Sequence, residues 1–282
     1  MIIRELDHKA VLNILPDRDP WGHKGNFGKI LLLCGSRGFT GAAYLAAMGA
    51  LRSGAGLTFL GVPENIYAIE AVKLNEPVVF PLPDADGTLS CEAVAEIEKR
   101  LPQMDAVLVG CGLGQSDGVL AVVKTVLEQA ECPVVMDADG INIMKEHKDI
   151  LRGRKYPTIL TPHDGEFLRF GGIIGKNRME SAACFAREWN CILLLKGHET
   201  CITDGQTGYL NKTGNPGMAV GGSGDVLAGI LVSLLGQGIA PAEAAACAAW
   251  LHGAAGDLCA QKLGQYGMLP TDMLEVLPRL MK

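Results

Sequence analysis

Seven short, almost wholly apolar runs punctuate this chain, at residues 29–34, 56–61, 77–80, 105–110, 133–136, 158–161 and 191–196. Each is too short for a stable helix and is bounded by Gly, Pro, Asp or a charged residue, so each predicts a buried strand. Between them apolar residues return at three- and four-residue intervals. That spacing predicts helices at 41–53, 91–101, 118–130, 139–146, 165–170 and 178–189, with Asn177 and Glu180 as the capping pair of the last. Continuous apolar strands separated by helices predict a mainly parallel sheet covered on both faces. Residues 200–203 and 208–211, joined through Asp204-Gly205, read as a β-hairpin. Helices at 226–236, 241–263 and 271–281 close the chain. No Pro/Ser-rich linker, charge block or internal repeat interrupts this order, so the expectation is one α/β domain over residues 1–282.

Composition narrows the class. A 282-residue chain that is 48% hydrophobic can bury a sizeable core. A net charge of −6 with scattered basic residues argues against a nucleic-acid surface, which needs a Lys/Arg stripe. Residues 1–19 alternate charged and apolar positions and hold no signal-peptide core. The least polar run, 226–242, contains Gly236, Gly238 and Pro241 and is too short and broken to span a bilayer. Nine cysteines, none in a CxxC pair and most in apolar segments, predict buried reduced thiols and a cytoplasmic setting.

In sheets of this kind ligands gather where strands end and helices begin. Polar and glycine-rich segments fall there repeatedly: Cys34-Gly35-Ser36 with Thr40-Gly41-Ala42-Ala43, then Gly110-Cys111-Gly112-Leu113-Gly114, Asp137-Ala138-Asp139, Thr161-Pro162-His163-Asp164-Gly165-Glu166, and Lys196-Gly197-His198-Glu199-Thr200. The densest is Asn215-Pro216-Gly217-Met218-Ala219-Val220-Gly221-Gly222-Ser223-Gly224-Asp225, which leads into an apolar helix. Its backbone N–H groups offer an anion site. A carboxylate there would repel a phosphate that was merely held; it suits a base that takes a proton from a hydroxyl about to meet a phosphoryl group. The structural alternative is a tight helix entry with Asp225 as cap, but the glycines at 217, 221, 222 and 224 exceed what a cap needs. Neither GxxxxGK(S/T) nor GxGxxG occurs, so any nucleotide is held another way.

Other candidates carry two readings. Asp139 fits a helix cap, while Asp137 either caps or orients a magnesium-bound water or substrate hydroxyl. His163 and Glu166, three apart on one helix face, are either a capping pair behind Pro162 or a substrate ligand beside an organiser of Mg²⁺ and its waters. Lys196 at a strand end is either a solvated gatekeeper or a cation for nucleotide phosphates. Trp21, Trp189 and Trp250 read as core or interface residues, and His252 as a packing histidine.

The segment Gly221-Gly222-Ser223-Gly224-Asp225-Val226-Leu227-Ala228-Gly229 resembles the glycine-rich signature of the ribokinase-like superfamily, a three-layer α/β fold. Lys24-Gly25 with Gly28, the Cys34–Ala43 segment, Gly112-Leu113-Gly114, Asp137-Ala138-Asp139-Gly140, Thr161-Pro162-His163 with Gly165-Glu166, and Lys196-Gly197 with Thr200 narrow the resemblance to the NAD(P)H-hydrate dehydratase family, in family order from about residue 24 to the end. The superfamily's commonest Asn-x-x-Glu is here His163-x-x-Glu166, as in the dehydratase branch. Ser223 stands where many relatives have threonine. Many relatives carry a fused epimerase domain; the stretch before Lys24 is too short for one, so the resemblance implies an epimerase on a separate protein.

The resemblance implies ADP- or ATP-dependent dehydration of the S-epimer of hydrated NADH or NADPH, restoring the cofactor with release of AMP or ADP and phosphate. Asp225 is the implied base. Ala42, Gly114, His163 and Asp225 are the implied contacts to the hydrated dinucleotide, with Ala43 and Gly112 as alternatives. Lys196, Gly197, His198, Glu199, Thr200, Gly222 and Gly224 would contact the adenine nucleotide, and Glu166 would organise Mg²⁺. A homotetramer is implied as well. The rivals are a ribokinase-like vitamin or sugar kinase, which would release a stable phosphorylated product, and a non-catalytic nucleotide sensor, for which Asp225 would be a liability.

Overall fold

The computed structural model describes residues 2–282. Its strands are β1 (Ile2–Arg4), β2 (Lys29–Leu33), β3 (Leu57–Pro63), β4 (Val78–Leu82), a small ribbon β5 (Asp84–Ala85) and β6 (Thr88–Leu89), then β7 (Ala106–Val109), β8 (Val134–Met136), β9 (Thr158–Leu160), β10 (Ile192–Leu195), β11 (Thr200–Thr203) and β12 (Thr207–Asn211). Ten of them form one sheet in the order β1-β12-β11-β10-β9-β8-β7-β2-β3-β4. Neighbours run parallel except for the β10–β11 and β11–β12 pairs, the second being the expected hairpin.

The helices are α1 (His8–Ile14), α2 (Thr40–Arg52), α3 (Glu64–Lys73), α4 (Ala93–Arg100), α5 (Asp117–Gln129), α6 (Asp139–Ile143), α7 (Asp149–Gly153), α8 (Asp164–Arg169), α9 (Arg178–Trp189), α10 (Ser223–Gly236), α11 (Pro241–Leu263) and α12 (Pro270–Val276). Side chains alternate across each strand, and both faces are apolar. Ile30, Leu32, Leu108, Val135 and Leu194 point into one core, shared with α2, α10 and α11. Leu31, Leu33, Val107, Val109, Met136 and Leu195 point into the other, shared with α4, α5 and α9. The result is the expected three-layer arrangement.

Six elements escaped the hydrophobic pattern: β1, α1, α3, the two-residue strands β5 and β6, and α7. All three residues of β1 are exposed, and α3 buries only Ile66 and Glu70 while leaving Ile69 and Val72 outside. Neither has the single apolar face that periodicity detects. The last predicted helix divides into α12 and a 3₁₀ turn at Leu277–Met281.

One packing contact positions the glycine-rich loop. A Cβ on Gly49 of α2 would lie 2.7 Å from the Val226 carbonyl oxygen, and one on Gly229 of α10 would collide with the Ala46 carbonyl. Helices α2 and α10 therefore touch backbone to backbone, which glycine alone allows here. The contact sets the first turns of α10 against the second half of α2. Helix α10 also starts at Ser223, three residues before the expected Val226, because the glycine segment itself enters the first turn.

Candidate active site

Gly222 precedes α10 with φ +96°, and a Cβ there would also strike Leu45 of α2. No side chain caps this helix, so Asp225 is not its cap but its third residue. The Ser223 N–H donates to the Val220 carbonyl at 3.3 Å. The N–H groups of Gly224 and Asp225 find no acceptor among the described residues. Two free donors at the positive end of a 14-residue helix make an anion site.

A charged cluster stands against this turn. Asp137, 2% exposed at the end of β8, accepts hydrogen bonds from Thr161 Oγ1 at 2.7 Å and from Lys196 Nζ at 2.9 Å. Lys196 leaves β10 beside β9: its N–H donates to the Pro162 carbonyl and its backbone bridges to His163. The same ammonium lies 3.9 Å from Glu166 Oε2. Burial opposes its charge, yet Asp137 and Glu166 outweigh burial and hold the Lys196 pKa above the ordinary lysine value. Gly110, at φ +133°, has no space for a Cβ against the Asp137 carbonyl, and Ala138 adopts φ +47°. The backbone that presents Asp137 is thus held in a conformation L-residues seldom take.

Ligand atoms of Asp225, Asp137 and Cys111 lie within 4.8 Å of one another. Burial and then the Asp137 charge push the Asp225 pKa up to about 6, with Cys111 and Lys196 pulling the other way. A carboxyl in that range is mostly ionised at neutral pH yet basic enough to take a proton, as a general base should be.

The remaining candidates separate cleanly. His163 Nδ1 accepts from the Gly165 and Glu166 N–H groups, and Glu166 Oε2 accepts from the His163 N–H at 2.9 Å. The capping-pair reading is therefore present in full, and the half-exposed imidazole also borders the cavity described next. Asp139 does not cap α6, since Ala138 occupies that position; its Oδ2 accepts the Gly114 N–H at 2.9 Å. Ala43 is fully buried whereas Ala42 is partly open and faces Gly112, so only Ala42 is available to a ligand.

A cavity of about 710 Å³ opens on the first turn of α10, within the range of small-molecule sites. Lys196, Gly197, His198 and Thr200 line one side, and Ser223 with Gly224 lines another. Glu199 does not line it. Neither do Gly222, Ala42, Gly114 or Asp225: Ala42 faces Gly112, Gly114 is bonded to Asp139, and Asp225 stands with Asp137 and Cys111. Asn211, Thr213, Asn215, His252 and Gly253 complete the wall and were not singled out as binding residues by sequence. For Asn211, Thr213 and Asn215 the only signal was the polar stretch after the hairpin. The stretch is pinned to α11: Asn211 Nδ2 donates to the Ala249 carbonyl, Thr213 Oγ1 to the Trp250 carbonyl, and Asp257 accepts from Gly214 N–H and Asn215 Nδ2. His252, expected to be simple packing, borders the cavity and lies 3.2 Å from Ser223 Oγ.

All nine cysteines are free, with Cys91 and Cys184 exposed and the others buried. Trp189 is buried and Trp250 stacks on His8, but Trp21 is 93% exposed. No helix among the described residues is long and apolar enough to cross a membrane.

Sheet order, glycine nest and the carboxylate on its helix together define a ribokinase-like protein. A ribokinase-like superfamily protein from Enterococcus faecalis superposes with a TM-score of 0.87 over 99% of this chain and 95% of that chain, at 28% identity. The NAD(P)H-hydrate dehydratase family model matches residues 30–279, and the chain belongs to that family. It is 44% identical over 275 residues to a bifunctional NAD(P)H-hydrate repair enzyme of Moorella thermoacetica, covering 95% of this chain and 52% of that protein. The chain thus spans about half the length of the bifunctional relatives it matches. It is 37% identical to the Bacillus subtilis ADP-dependent (S)-NAD(P)H-hydrate dehydratase, over 95% of this chain and 94% of that protein. A B. subtilis ADP/ATP-dependent NAD(P)H-hydrate dehydratase co-crystallised with ATP and Mg²⁺ superposes with a TM-score of 0.84 at 32% identity, covering 97% of this chain and 96% of that chain.

Proposed function

We propose that this chain restores NADH and NADPH from the S-epimers of their hydrates, using ADP or ATP and releasing AMP or ADP with phosphate. The observation that carries this reading is the position of Asp225. A carboxyl tuned to about 6 shares one helical turn with two unpaired N–H donors, beside a lysine and a nucleotide-sized cavity.

The hydrate carries a hydroxyl at C6 of a tetrahydropyridine ring, and hydroxide is a poor leaving group. Asp225 takes the hydroxyl proton as its oxygen attacks the terminal phosphoryl group. The bond to the departing AMP or ADP breaks, and the free N–H groups of Gly224 and Asp225 stabilise charge on the transferred group. The ring nitrogen then pushes electrons in as phosphate leaves C6. Loss of a C5 proton restores the dihydropyridine. Lys196, Gly197, His198 and Thr200, with Gly222 and Gly224, hold the nucleotide, and Glu199 contacts it from outside the chamber wall. Ala42, Gly114 and His163 hold the hydrated ring.

Asp137 and Glu166 both face the Lys196 ammonium, and Asp225 lies near enough to feel Lys196, Asp137 and Asp139, so four carboxylates share this region with one ammonium. That surplus of hard, negative oxygens fits a nucleotide-borne Mg²⁺. Glu166 would hold its waters, and the ion would supply neutralisation of the phosphate charge. A single functional domain over these residues, a homotetramer, a cytoplasmic location and an NAD(P)H-hydrate epimerase that converts the other epimer into the S-hydrate complete the proposal. The test is to supply hydrated NADH and ADP with Mg²⁺ and follow the dihydronicotinamide absorbance. A kinase of the same fold would consume nucleotide and restore none.

A further inference from the structure

His252 and Ser223 form a pair that the reaction just described does not use. Ser223 is the first residue of α10, immediately after the left-handed Gly222. His252 comes from α11, and its Nε2 lies 3.2 Å from Ser223 Oγ. Both residues are at least nine-tenths buried, and both border the same cavity as Lys196 and Gly224.

Burial drives the His252 pKa down to about 4, and the Lys196 charge adds to the effect. The ring is therefore neutral at working pH, with one nitrogen donating and the other accepting. The hydroxyl has one proton to give. If Ser223 Oγ–H donates to Nε2, the oxygen turns its lone pairs toward the cavity. If Nε2–H donates to Oγ, the serine proton is free to point there instead. A phosphoryl group offers only acceptors, so a phosphate at the start of α10 selects the second arrangement.

We propose that His252 is a positioning residue for phosphoryl transfer, its Nε2–H donating to Ser223 Oγ so that the serine hydroxyl donates to an oxygen of the transferred phosphoryl group. The inference rests on the phosphoryl-transfer reading of this site. A hydroxyl-to-phosphoryl bond is charge-assisted. In the transition state charge spreads over the equatorial oxygens, so this bond strengthens where it accelerates the reaction. Ser223 then supplements the Gly224 and Asp225 N–H groups, which are fixed by the helix, with a donor whose direction is fixed by α11. The anchoring of α11 is close: a Cβ on Gly253 would collide with Thr213, and Thr213 Oγ1 is tied to the Trp250 carbonyl.

Two measurements test it. In the first, ¹⁵N NMR of the full chain with ADP and Mg²⁺ bound reports the His252 tautomer, the signal being assigned by its loss in His252→Gln. A proton on Nε2 is expected; a proton on Nδ1 with bare Nε2 overturns the proposal. This readout does not need the repair reaction, so it decides the inference even if hydrated NADH is not restored. In the second, turnover is compared for Ser223→Ala, Ser223→Thr, His252→Leu, His252→Gln and the Ser223→Ala/His252→Leu double variant. Ser223→Ala should lower kcat roughly 10–100-fold, at or below the usual loss for one oxyanion donor, with KM for ADP within about 3-fold. His252→Leu should lower kcat in the same way, and the double variant should be no worse than Ser223→Ala alone. Ser223→Thr and His252→Gln, which keep a hydroxyl and a side-chain N–H, should recover most of the rate. Multiplying effects in the double variant, or a His252→Gln chain that folds normally yet performs as badly as His252→Leu, would contradict the relay. An inactive wild type would instead count against the proposed function.

Discussion

Replacing Asp225 with asparagine should damage the reaction and strengthen the fold at the same time. Burial and the neighbouring Asp137 raise the Asp225 pKa from 3.8 to about 6. The folded chain therefore binds this proton more tightly than the unfolded chain does. Stability present below about pH 4 is lost as the pH rises toward 6, because the folded state then carries a carboxylate in an unfavourable place. About 2 pK units at about 1.4 kcal/mol each set an upper bound of about 3 kcal/mol. Partial solvent access at this turn brings the expected gain for Asp225→Asn to about 1–3 kcal/mol at pH 8. For a chain of this size that is a rise in Tm of a few degrees. The gain should vanish at pH 4, where both side chains are neutral. Thermal melts of both proteins at pH 4, 6 and 8 measure it, alongside turnover at pH 8. Turnover should fall roughly 10²–10⁴-fold, the range for losing a general base. An asparagine variant less stable than wild type at pH 8, or one that turns over normally, would refute the reasoning.

The same carboxyl should give kcat/KM an acid limb near pH 6, with activity rising as Asp225 ionises; Asp137→Asn removes a negative neighbour and should move that limb to lower pH, which a pH–rate profile checks. Gly222→Ala places a Cβ against Leu45 at φ +96°, so it should cost about 1–3 kcal/mol in a denaturant melt and weaken ADP binding in calorimetry. His163→Ala should lose about 1 kcal/mol by removing the α8 cap, whereas His163→Asn should keep the cap. A KM for the hydrate raised in both variants identifies the imidazole as a substrate contact; a KM restored by asparagine identifies it as a cap alone.

Much of this architecture was legible because both faces of the parallel strands are apolar, which marks β2, β7, β8, β9 and β10 almost to the residue. The glycine-rich loop was legible for a related reason: few structures other than a backbone approach need glycine at 221, 222 and 224. Residues whose roles depend on tertiary neighbours were not legible. Asp139 read as a cap because short acids at strand ends often are, and only the fold shows the Gly114 N–H in front of it. His252 sits in an alanine-rich helix with nothing nearby in sequence to explain it, and its partner is 29 residues away on α10. The opposite error also occurred with α3 and β1. Their exposed apolar residues carry no periodic signal, so chain position rather than pattern was all the sequence offered.

The most direct measurement is absorbance at the dihydronicotinamide band while the protein is incubated with the S-hydrate of NADH, ADP and Mg²⁺, with AMP and phosphate quantified in parallel. Full recovery of the band with one AMP and one phosphate formed per NADH restored is the predicted result. Nucleotide consumed with a stable phosphorylated product and no recovery of absorbance would contradict it.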